Sequence, residues 1–257
     1  MVRIFALTNS LAKLKPLPGY SFPATARKIA NIHALFPPQL IRQEPSLFGA
    51  SLLFAARYGG PITQKILHDL LPLIPSQGNH RIVIDTRTHD LRVGEIPAIP
   101  GWHTDFVERT PASGMEPDYC KITPSVNIYI INASSCHDGV SSTEYLTQSI
   151  SLDIPSSQVN TRLDEQLSSM TTLQTEKAVD GDILRMDQLS LHRATPAHTA
   201  GMHYLLRVAV LHNLATTILA SSYQNEVRMQ SHSKRATVSK RRKICDRPEL
   251  PDLSTLV

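Results

Sequence analysis

Apolar residues in this chain are concentrated in short runs of strand length. Four such runs occupy residues 81–86, 126–131, 183–186 and 204–211. Apolar runs of four to eight residues, bounded by polar or turn-forming residues, are typical of strands buried in a protein core. The pattern therefore predicts that strands dominate the core, over residues 79–215.

Two further strands and one insertion are predicted in the same region. Residues 101–107 follow the breakers Pro97 and Pro100 and predict a strand, as do residues 144–153. Residues 157–173 are mostly polar and predict a helix or loop inserted between strands. Because loops carried by a rigid scaffold often set specificity, this insertion is a candidate lid or substrate-selecting element.

The region before residue 79 has a different pattern. Apolar residues at about helical spacing predict three helices there, over residues 24–35, 47–57 and 62–71. At 257 residues, the chain is long enough for one sizeable core. We expect a single domain over 1–225, with a helical N-terminal part (1–78) and a strand-rich core (79–215), followed by a tail.

The predicted strand 101–107 contains one His-x-Asp pair, His103 and Asp105. With 11 His and 22 Asp+Glu in 257 residues, chance alone gives roughly one His-x-acid pair. The pair is therefore informative only because of its position in a predicted strand. Side chains two apart in a strand point the same way, so both would project from one face. Adjacent pairs such as His89-Asp90 and His137-Asp138 point to opposite faces of a strand and are poor ligand pairs.

A second candidate ligand lies downstream, where several histidines occur close together. Asp180-Gly181-Asp182 signals a turn, and the strand 183–186 leads from it towards His192. Within the next twenty residues His198 falls in a loop, His203 at the entry of a strand and His212 at the end of the apolar run. A strand histidine such as His212 is typically satisfied by its neighbours.

Arg207 stands inside the apolar run 204–211. A buried guanidinium is costly unless its charge is paired. A dicarboxylate supplies such a partner, since guanidinium binds carboxylate through two parallel hydrogen bonds. Two imidazoles and one carboxylate can hold three positions on one face of Fe(II) and leave the other face open. The chain thus contains the residue types for an iron centre beside a carboxylate-binding cation.

The order of these motifs resembles the Fe(II)/2-oxoglutarate-dependent dioxygenase superfamily. The resemblance rests on His103-x-Asp105, Gly181-Asp182, His192-Arg-Ala-x-Pro196 and Arg207. Its most family-like part is Gly-Asp-Ile-Leu-x-x-Asp-x-x-x-x-His-Arg-Ala. It covers about residues 80–213, roughly half the chain, and assigns no subfamily.

The resemblance implies a fold of the α+β class. Its core would be a double-stranded β-helix (a cupin-like jelly roll), braced by the N-terminal helices. The Fe(II) ligands, and so the catalytic centre, would be His103, Asp105 and His192. His192 is preferred over His198 because it follows the Gly-Asp turn and strand at the family's spacing. Arg207 would bind 2-oxoglutarate.

The chain departs from the family pattern at a second contact to 2-oxoglutarate. Many members carry a hydroxyl residue two positions after the arginine, whereas this chain has Ala209, so a second hydrogen bond must come from elsewhere. Asn127 and Tyr129 share a face of their strand and reach the co-substrate if that face is turned inward. An asparagine or tyrosine in a strand is, however, more often structural.

The implied activity is hydroxylation of a substrate C–H bond by O2, with conversion of 2-oxoglutarate to succinate and CO2 and with ascorbate as an additive in vitro. The substrate stays open between a small molecule, a protein side chain and a nucleic-acid base. One alternative is a non-catalytic jelly-roll protein that holds a metal or ligand and acts through its tail. Another is Zn(II) hydrolysis with the same ligands, in which a buried arginine has no role.

Charge is concentrated in the tail, residues 226–257. This segment carries eight Lys+Arg and four Asp+Glu, which leaves 18 of each (26 − 8 and 22 − 4) in residues 1–225. The whole net charge of +4 therefore lies in the tail. Its low apolar content predicts disorder. A basic tail can contact nucleic acid or an acidic partner, carry a nuclear address, or simply aid solubility.

Composition bounds the compartment. Three cysteines (Cys120, Cys136 and Cys245) form no C-x-x-C pattern, which favours a reducing compartment over a disulfide-bonded or structural zinc protein. No apolar run approaches the length needed to cross a bilayer, and the apolar stretch at the start is too short for a secretory signal. We expect a cytoplasmic protein, or a nuclear one if the tail is an address in a eukaryotic cell.

Overall fold

The computed structural model describes residues 19–75, 80–98, 100–107, 119, 125–153, 159–212 and 226–228. The helices in this part of the chain are α1 (Pro38–Gln43), α2 (Leu52–Tyr58), α3 (Pro61–Leu70), α4 (Val159–Ser169) and a short 3-10 helix (Leu71–Leu73). The strands are β1 (Gly19–Phe22), β2 (Arg27–Asn31), β3 (Ser46–Phe48), β4 (Ala50–Ser51), β5 (Arg81–Leu91), β6 (Val126–Ser134), β7 (Thr143–Leu146), β8 (Ile150–Asp153), β9 (Thr175–Ala178), β10 (Asp182–Asp187), β11 (His192–Ala194), β12 (Gly201–Leu211) and β13 (Glu226–Arg228).

Two antiparallel sheets form the core. The larger has the order β2-β10-β6-β12-β5-β4, and the smaller has the order β11-β7-β9. From β5 onward the chain passes repeatedly between them, with β5, β6, β10 and β12 in the larger sheet and β7, β9 and β11 in the smaller. The fold is thus mostly antiparallel β with a few short helices, as in a β-sandwich or jelly-roll core.

The two faces of the larger sheet bury different partners. On β12, Tyr204, Leu206 and Val208 pack against the N-terminal helices, together with Ile66 and Leu70 of α3. The alternate residues Leu205 and Ala209 point instead between the sheets, where Tyr145 of β7 meets Ile128 of β6. Because side chains alternate along a strand, this register decides which residues can reach a site between the sheets.

A buried carboxylate fixes the helix that covers the outer face. α3 begins at Pro61, and its first N–H groups have no partner within the helix. Glu44 Oε1 accepts from the Ile62 N–H at 2.6 Å, and Glu44 Oε2 accepts from the Thr63 hydroxyl at 2.7 Å. The Thr63 hydroxyl also lies 2.8 Å from the Tyr204 hydroxyl of β12. This chain of contacts seats the helix on the sheet.

Several element predictions are confirmed. Strands occur at the four apolar runs (β5, β6, β10 and β12), α3 matches the helix expected over 62–71, and α4 falls within the polar insertion. The predicted strand 144–153 is two strands, β7 and β8, and residues 47–57 contain β3 and β4 before α2. The helix predicted over 24–35 is wrong, because β2 lies there and pairs with β10. Pairing with an open sheet edge outweighs local apolar spacing.

The C-terminal end of the described chain also differs in detail from expectation. Glu226–Arg228, placed in the tail by the sequence, forms β13 and pairs with β3. Residues 229–257, the remainder of the predicted tail, lie outside the described residues. Among the helices that the structure describes, none has the length and apolar character to span a membrane.

Candidate metal centre

His103, Asp105 and His192 converge between the two sheets. One ligand atom from each lies within 4.8 Å of the others. His192 is the first residue of β11. His103 and Asp105 lie in the described segment 100–107. Among the described residues, this is the group of three His, Cys, Asp or Glu side chains that could hold a metal ion.

Reciprocal backbone bonds tie the His103 segment to β11. The His103 N–H donates to the His192 carbonyl and the His192 N–H donates to the His103 carbonyl, both at 3.0 Å. The ring centroids lie 4.6 Å apart. This bridge adds the His103 segment to the edge of the smaller sheet, so the spacing between the two imidazoles is set by the backbone.

The sequence prediction of a strand over 101–107 is wrong apart from this bridge. Gly101 has φ +90° and Phe106 has φ +59°, so the segment turns at both ends and cannot run as an extended strand. At the centre of the segment, His103 and Asp105 still point to one side, as their two-residue spacing predicted. The Thr104 hydroxyl reaches Tyr119, 2.6 Å away, while His103 and Asp105 on either side approach His192.

Backbone carbonyls orient both imidazoles. His103 Nδ1 lies 2.8 Å from the Gly101 carbonyl oxygen, and His192 Nδ1 lies 3.0 Å from that of Ser190. Since a carbonyl oxygen only accepts, each Nδ1 donates, which leaves each Nε2 as the ring nitrogen that can ligate a metal. His192 Nε2 is 3.6 Å from Asp105 Oδ2. Metal-binding histidines are commonly held by such an outer hydrogen bond.

The charge states suit a metal. Burial alone would raise the pKa of Asp105, but the Arg207 guanidinium and the two imidazoles outweigh it and hold that pKa well below its usual range. Burial, and then the charge of His192, lowers the pKa of His103. An ionised carboxylate beside a neutral imidazole is the state that metal ligation requires.

Arg207 is already paired within the protein. Its Nη1 donates to Asp105 Oδ2 at 2.7 Å, while Nη2 and Nε donate to Asp85 Oδ2 at 2.7 and 3.2 Å. Burial works against the guanidinium charge, but the two carboxylates raise the pKa of Arg207. From the sequence, a dicarboxylate was expected to balance the charge of Arg207. In the structure, Asp85 and Asp105 balance it.

A cleft opens beside the three candidate ligands and encloses about 710 Å³, solvent-open space included. The larger sheet contributes its inward-facing side chains and the smaller sheet faces them. The lining residues are Asp85, Arg87, Pro97, Ala98, His103, Asp105, Ile130, Asn132, Ser142, Thr143, His192, Ala194, His203, Leu205 and Arg207.

Asn127 and Tyr129, which were expected to contact 2-oxoglutarate, are not among the residues that line this cleft. Tyr129 packs among the residues that face the N-terminal helices. Oδ1 of the Asn127 side chain accepts from Arg185 Nη2 at 3.1 Å. On β6 it is Ile130 and Asn132 that line the cleft. The sequence established that Asn127 and Tyr129 share a face, but not which face points inward.

The competing histidines have other surroundings. His198 Nε2 donates to the Asp138 carbonyl at 3.2 Å, and His212 Nε2 lies 2.6 Å from the Asn127 amide. His203 does line the cleft, at a distance along β12 from Arg207. Trp102 acts as a packing anchor, with the Arg193 guanidinium 4.6 Å from its ring centroid.

Sequence reasoning missed Asp85, Arg87, Asn132 and Thr143. A signal for the first two is present in β5, where the ionisable residues Asp85, Arg87 and His89 recur at every second position, with Thr86 and Thr88 between them. Such a row marks one polar face of a buried strand. Asn132 and Thr143 carry no comparable signal, because a single polar residue at a strand end is common.

No protein-family profile matches the chain, and no curated protein matches it. Among solved structures, HygX from Streptomyces hygroscopicus with iron bound is similar at 14% identity and a TM-score of 0.39, over 76% of this chain and 82% of that one. HygX with nickel and 2-oxoglutarate bound gives 13% identity and a TM-score of 0.38, over 76% and 83%. Apo HygX gives 15% and 0.35, over 77% and 83%. Because likeness at this level is too weak to carry function, the site is interpreted from its own geometry.

Proposed function

We propose that this protein is an Fe(II)- and 2-oxoglutarate-dependent oxygenase that hydroxylates a C–H bond of its substrate. The observation that carries the proposal is the convergence of His103, Asp105 and His192, with both imidazoles held through Nδ1. Two histidines and one carboxylate on one side of an ion, with space on the other, is the ligand set of non-haem iron oxygenases. The chain's passage between its two sheets supports a double-stranded β-helix as the scaffold.

The charges lining the cleft support a dicarboxylate co-substrate. The charged side chains among the described lining residues are Asp85, Asp105, Arg87 and Arg207, which sum to zero. A divalent ion held by neutral imidazoles and Asp105 raises this sum to +2. A dianion such as 2-oxoglutarate restores neutrality, and charge in a partly buried cleft is costly unless it is balanced.

The protein's own residues have three tasks in this proposal. His103, Asp105 and His192 would hold the ion, the Gly101 and Ser190 carbonyls orient the imidazoles, and Arg207 fixes Asp105. When bound, Fe(II) and 2-oxoglutarate supply the oxidation, in which one atom of O2 enters the substrate C–H bond and the other enters succinate as CO2 is released.

Calorimetric titration with Mn(II), a redox-inert stand-in for Fe(II), tests the centre first. We expect one ion per chain in the wild type, none in His103→Ala, and unchanged binding in the control His198→Ala, whose imidazole bonds to Asp138 outside the cleft. Wild type that binds no Mn(II), or His103→Ala that binds it normally, would contradict the proposal.

Succinate formation tests the reaction. With Fe(II), ascorbate and 2-oxoglutarate under air, and with a pool of nucleosides, amino acids and acyl compounds, we expect succinate from wild type and none from His103→Ala. If Mn(II) binds but no succinate forms with any member of the pool, the alternative of a non-catalytic metal-binding protein takes precedence.

A further inference from the structure

A second arginine in the cleft, Arg87, lacks an acidic partner. It follows Asp85 by two positions on β5, so both side chains point towards the cleft, about 7 Å apart along the strand. Among the residues that the structure describes, no carboxylate forms an ion pair with Arg87. Its guanidinium carbon instead lies 5.8 Å from the centroid of the Phe48 ring. Arg87 is therefore a charge in the cleft that no described carboxylate pairs with, since Asp85 and Asp105 both pair with Arg207.

The strand register separates Arg87 from the metal ligands. Asp85 stands opposite Arg207, and Arg207 stands opposite Ile130. One row further along, Arg87 stands opposite Leu205, which in turn stands opposite Asn132. Since Arg207 bonds to Asp105, the first row belongs to the metal end of the cleft. The second row defines an Arg87 end.

The Arg87 end is polar and buried. The Asn132 side-chain Nδ2 donates to the Thr143 hydroxyl at 3.0 Å, and His203 Nε2 lies 3.3 Å from the Asn132 side-chain Oδ1. His203 is 1% exposed, and its Nδ1 has no hydrogen-bond partner within the described part of the chain. Buried polar atoms of this kind normally have a partner, so this end of the cleft has hydrogen-bonding capacity to spare.

Arg87 is the charge available at this end. Burial, and then the neighbouring His89, lowers the pKa of His203 to about 3, so His203 is neutral at neutral pH. Burial, and then the charge of Arg87, lowers the pKa of His89 to about 4. An anion that enters this end would therefore meet one guanidinium and the neutral groups Asn132, Thr143 and His203.

We infer that Arg87, and not Arg207, binds the far carboxylate of the 2-oxo acid, with Asn132 and His203 beside it. The inference rests on the proposed function and departs from the role that the family resemblance assigns to Arg207. A five-carbon dicarboxylate spans four C–C bonds, roughly 5 Å end to end, which is comparable with the spacing from one row to the next. Arg207 then acts as a positioning residue for Asp105.

The test compares two 2-oxo acids that differ only at the far end. With Mn(II)-loaded protein, calorimetry measures binding of 2-oxoglutarate and of 2-oxobutanoate, which lacks the far carboxylate. We expect wild type to prefer 2-oxoglutarate at least tenfold, Arg87→Met to lose this preference, and Arg87→Lys to keep part of it. Mn(II) affinity should stay within twofold of wild type in both. Arg81→Met, on the exposed start of the same strand, is the matched control.

The outcomes separate the two proposals. Preserved preference in Arg87→Met, or a preference lost only in Arg207→Met, overturns the inference and leaves the metal centre intact. Equal binding of the two acids by wild type overturns it as well. Absence of Mn(II) binding in wild type overturns the proposed function and the inference with it. If Arg87→Met does not fold, Arg87→Gln compared with Arg87→Lys gives the same contrast between neutral and charged side chains.

Discussion

At the scale of single residues, Asp85 supports the centre without being close enough to join it. Its Oδ2 accepts two hydrogen bonds from Arg207, and its Oδ1 accepts from the Gly49 N–H at 2.8 Å. The Nη1 atom of Arg207 donates a hydrogen bond to Asp105. Asp85 and Asp105 therefore share the Arg207 guanidinium, so Asp85 affects how strongly Arg207 binds the Asp105 carboxylate that would ligate the metal.

Asp85→Asn should weaken Mn(II) binding roughly tenfold, because Asp105 then becomes the charged partner of Arg207 and is less available to the metal. The asparagine keeps an oxygen for Gly49 but turns an N–H₂ group towards the guanidinium. Loss of one partner of a buried ion pair should also cost about 3 kcal/mol of unfolding free energy. Calorimetry and urea unfolding measure the two effects.

The control for Asp85→Asn is Asp90→Asn on the same strand. The Asp90 side chain is 68% exposed, and its ion pair with Arg42 spans 3.6 Å at the surface. Such a pair contributes well under about 1 kcal/mol. Equal effects of the two substitutions would show that Asp85 does not support the centre.

His203 should make the fold sensitive to acid. Its pKa of about 3 in the folded chain lies below the ordinary 6.5 of the unfolded chain, so unfolding takes up a proton between these values. Stability is then lost as the pH falls from about 6.5 towards about 3, by at most about 1.4 kcal/mol per pH unit from this group. We expect His203→Gln to flatten the dependence of unfolding free energy on pH between 7 and 5.

A comparison of variants isolates the His203 effect. Burial raises the pKa of Asp180 to about 6, so this group acts in the opposite direction, and the wild-type profile alone mixes the two. Urea unfolding at pH 7, 6 and 5 for wild type, His203→Gln and the exposed His137→Gln separates them. Parallel profiles for wild type and His203→Gln would show that His203 is not held neutral by the fold.

The placement of residues followed from the sequence where the chain itself fixed the geometry. His103 and Asp105 are two positions apart, so almost any extended backbone brings them to one side. Arg207 was expected to be buried and paired, and it is, but its partners come from residues 85 and 105. Which acid meets which guanidinium depends on strand register, and local sequence does not contain it.

At the scale of elements, α4 packs against the segments that carry the candidate metal ligands. Trp102 and Leu191, which immediately precede His103 and His192, pack in one cluster with Leu163 and Leu167 of α4. Asp164 on the same helix accepts from the Trp102 N–H at 2.8 Å. The polar insertion expected to act as a lid or to select substrate thus contacts the ligand segment directly.

Asp164→Ala should loosen that segment. We expect Mn(II) affinity to fall roughly tenfold, as for loss of other outer contacts to metal ligands, and the Trp102 amide to exchange its hydrogen faster. Glu165→Ala, the exposed neighbour on α4, should change neither quantity. Unchanged exchange at Trp102 in Asp164→Ala would contradict a bracing role for the helix.

Elements were predictable where periodicity and burial agree. β12 and β6 are buried on both faces, so they appear in the sequence as continuous apolar runs. β2 was missed because it is a short edge strand whose exposed residues carry no strong alternation. The ligand segment was misassigned because the left-handed conformations of Gly101 and Phe106 depend on packing around them, and not on residue type alone.

At the scale of the whole molecule, net charge and the candidate site are separate. Residues 229–257 hold seven Lys+Arg and three Asp+Glu, so their removal lowers the net charge from +4 to 0 (19 of each remain). The cleft is already balanced by its own two acids and two arginines. The tail therefore has no charge to supply to the site.

Deletion of residues 229–257 should leave Mn(II) and 2-oxoglutarate affinities within twofold of the full chain. Solubility near neutral pH should fall, because a chain with zero net charge self-associates more readily. Calorimetry and light scattering measure these effects. A loss of Mn(II) affinity beyond tenfold would place the tail at the centre and favour a function exerted through it.

The central position of β12 governs when this protein can fold during synthesis. β12 lies between β5 and β6 and bonds to both along its length, yet it ends 120 residues after β5 does (211 − 91). At translation rates of about 5 to 20 residues per second, roughly 6 to 24 s separate the two. Until β12 leaves the ribosome, β5 and β6 each have an edge with no β12 to pair with. Unpaired strand edges can pair with other chains and cause aggregation. We therefore expect the nascent chain to be most prone to aggregation over that interval.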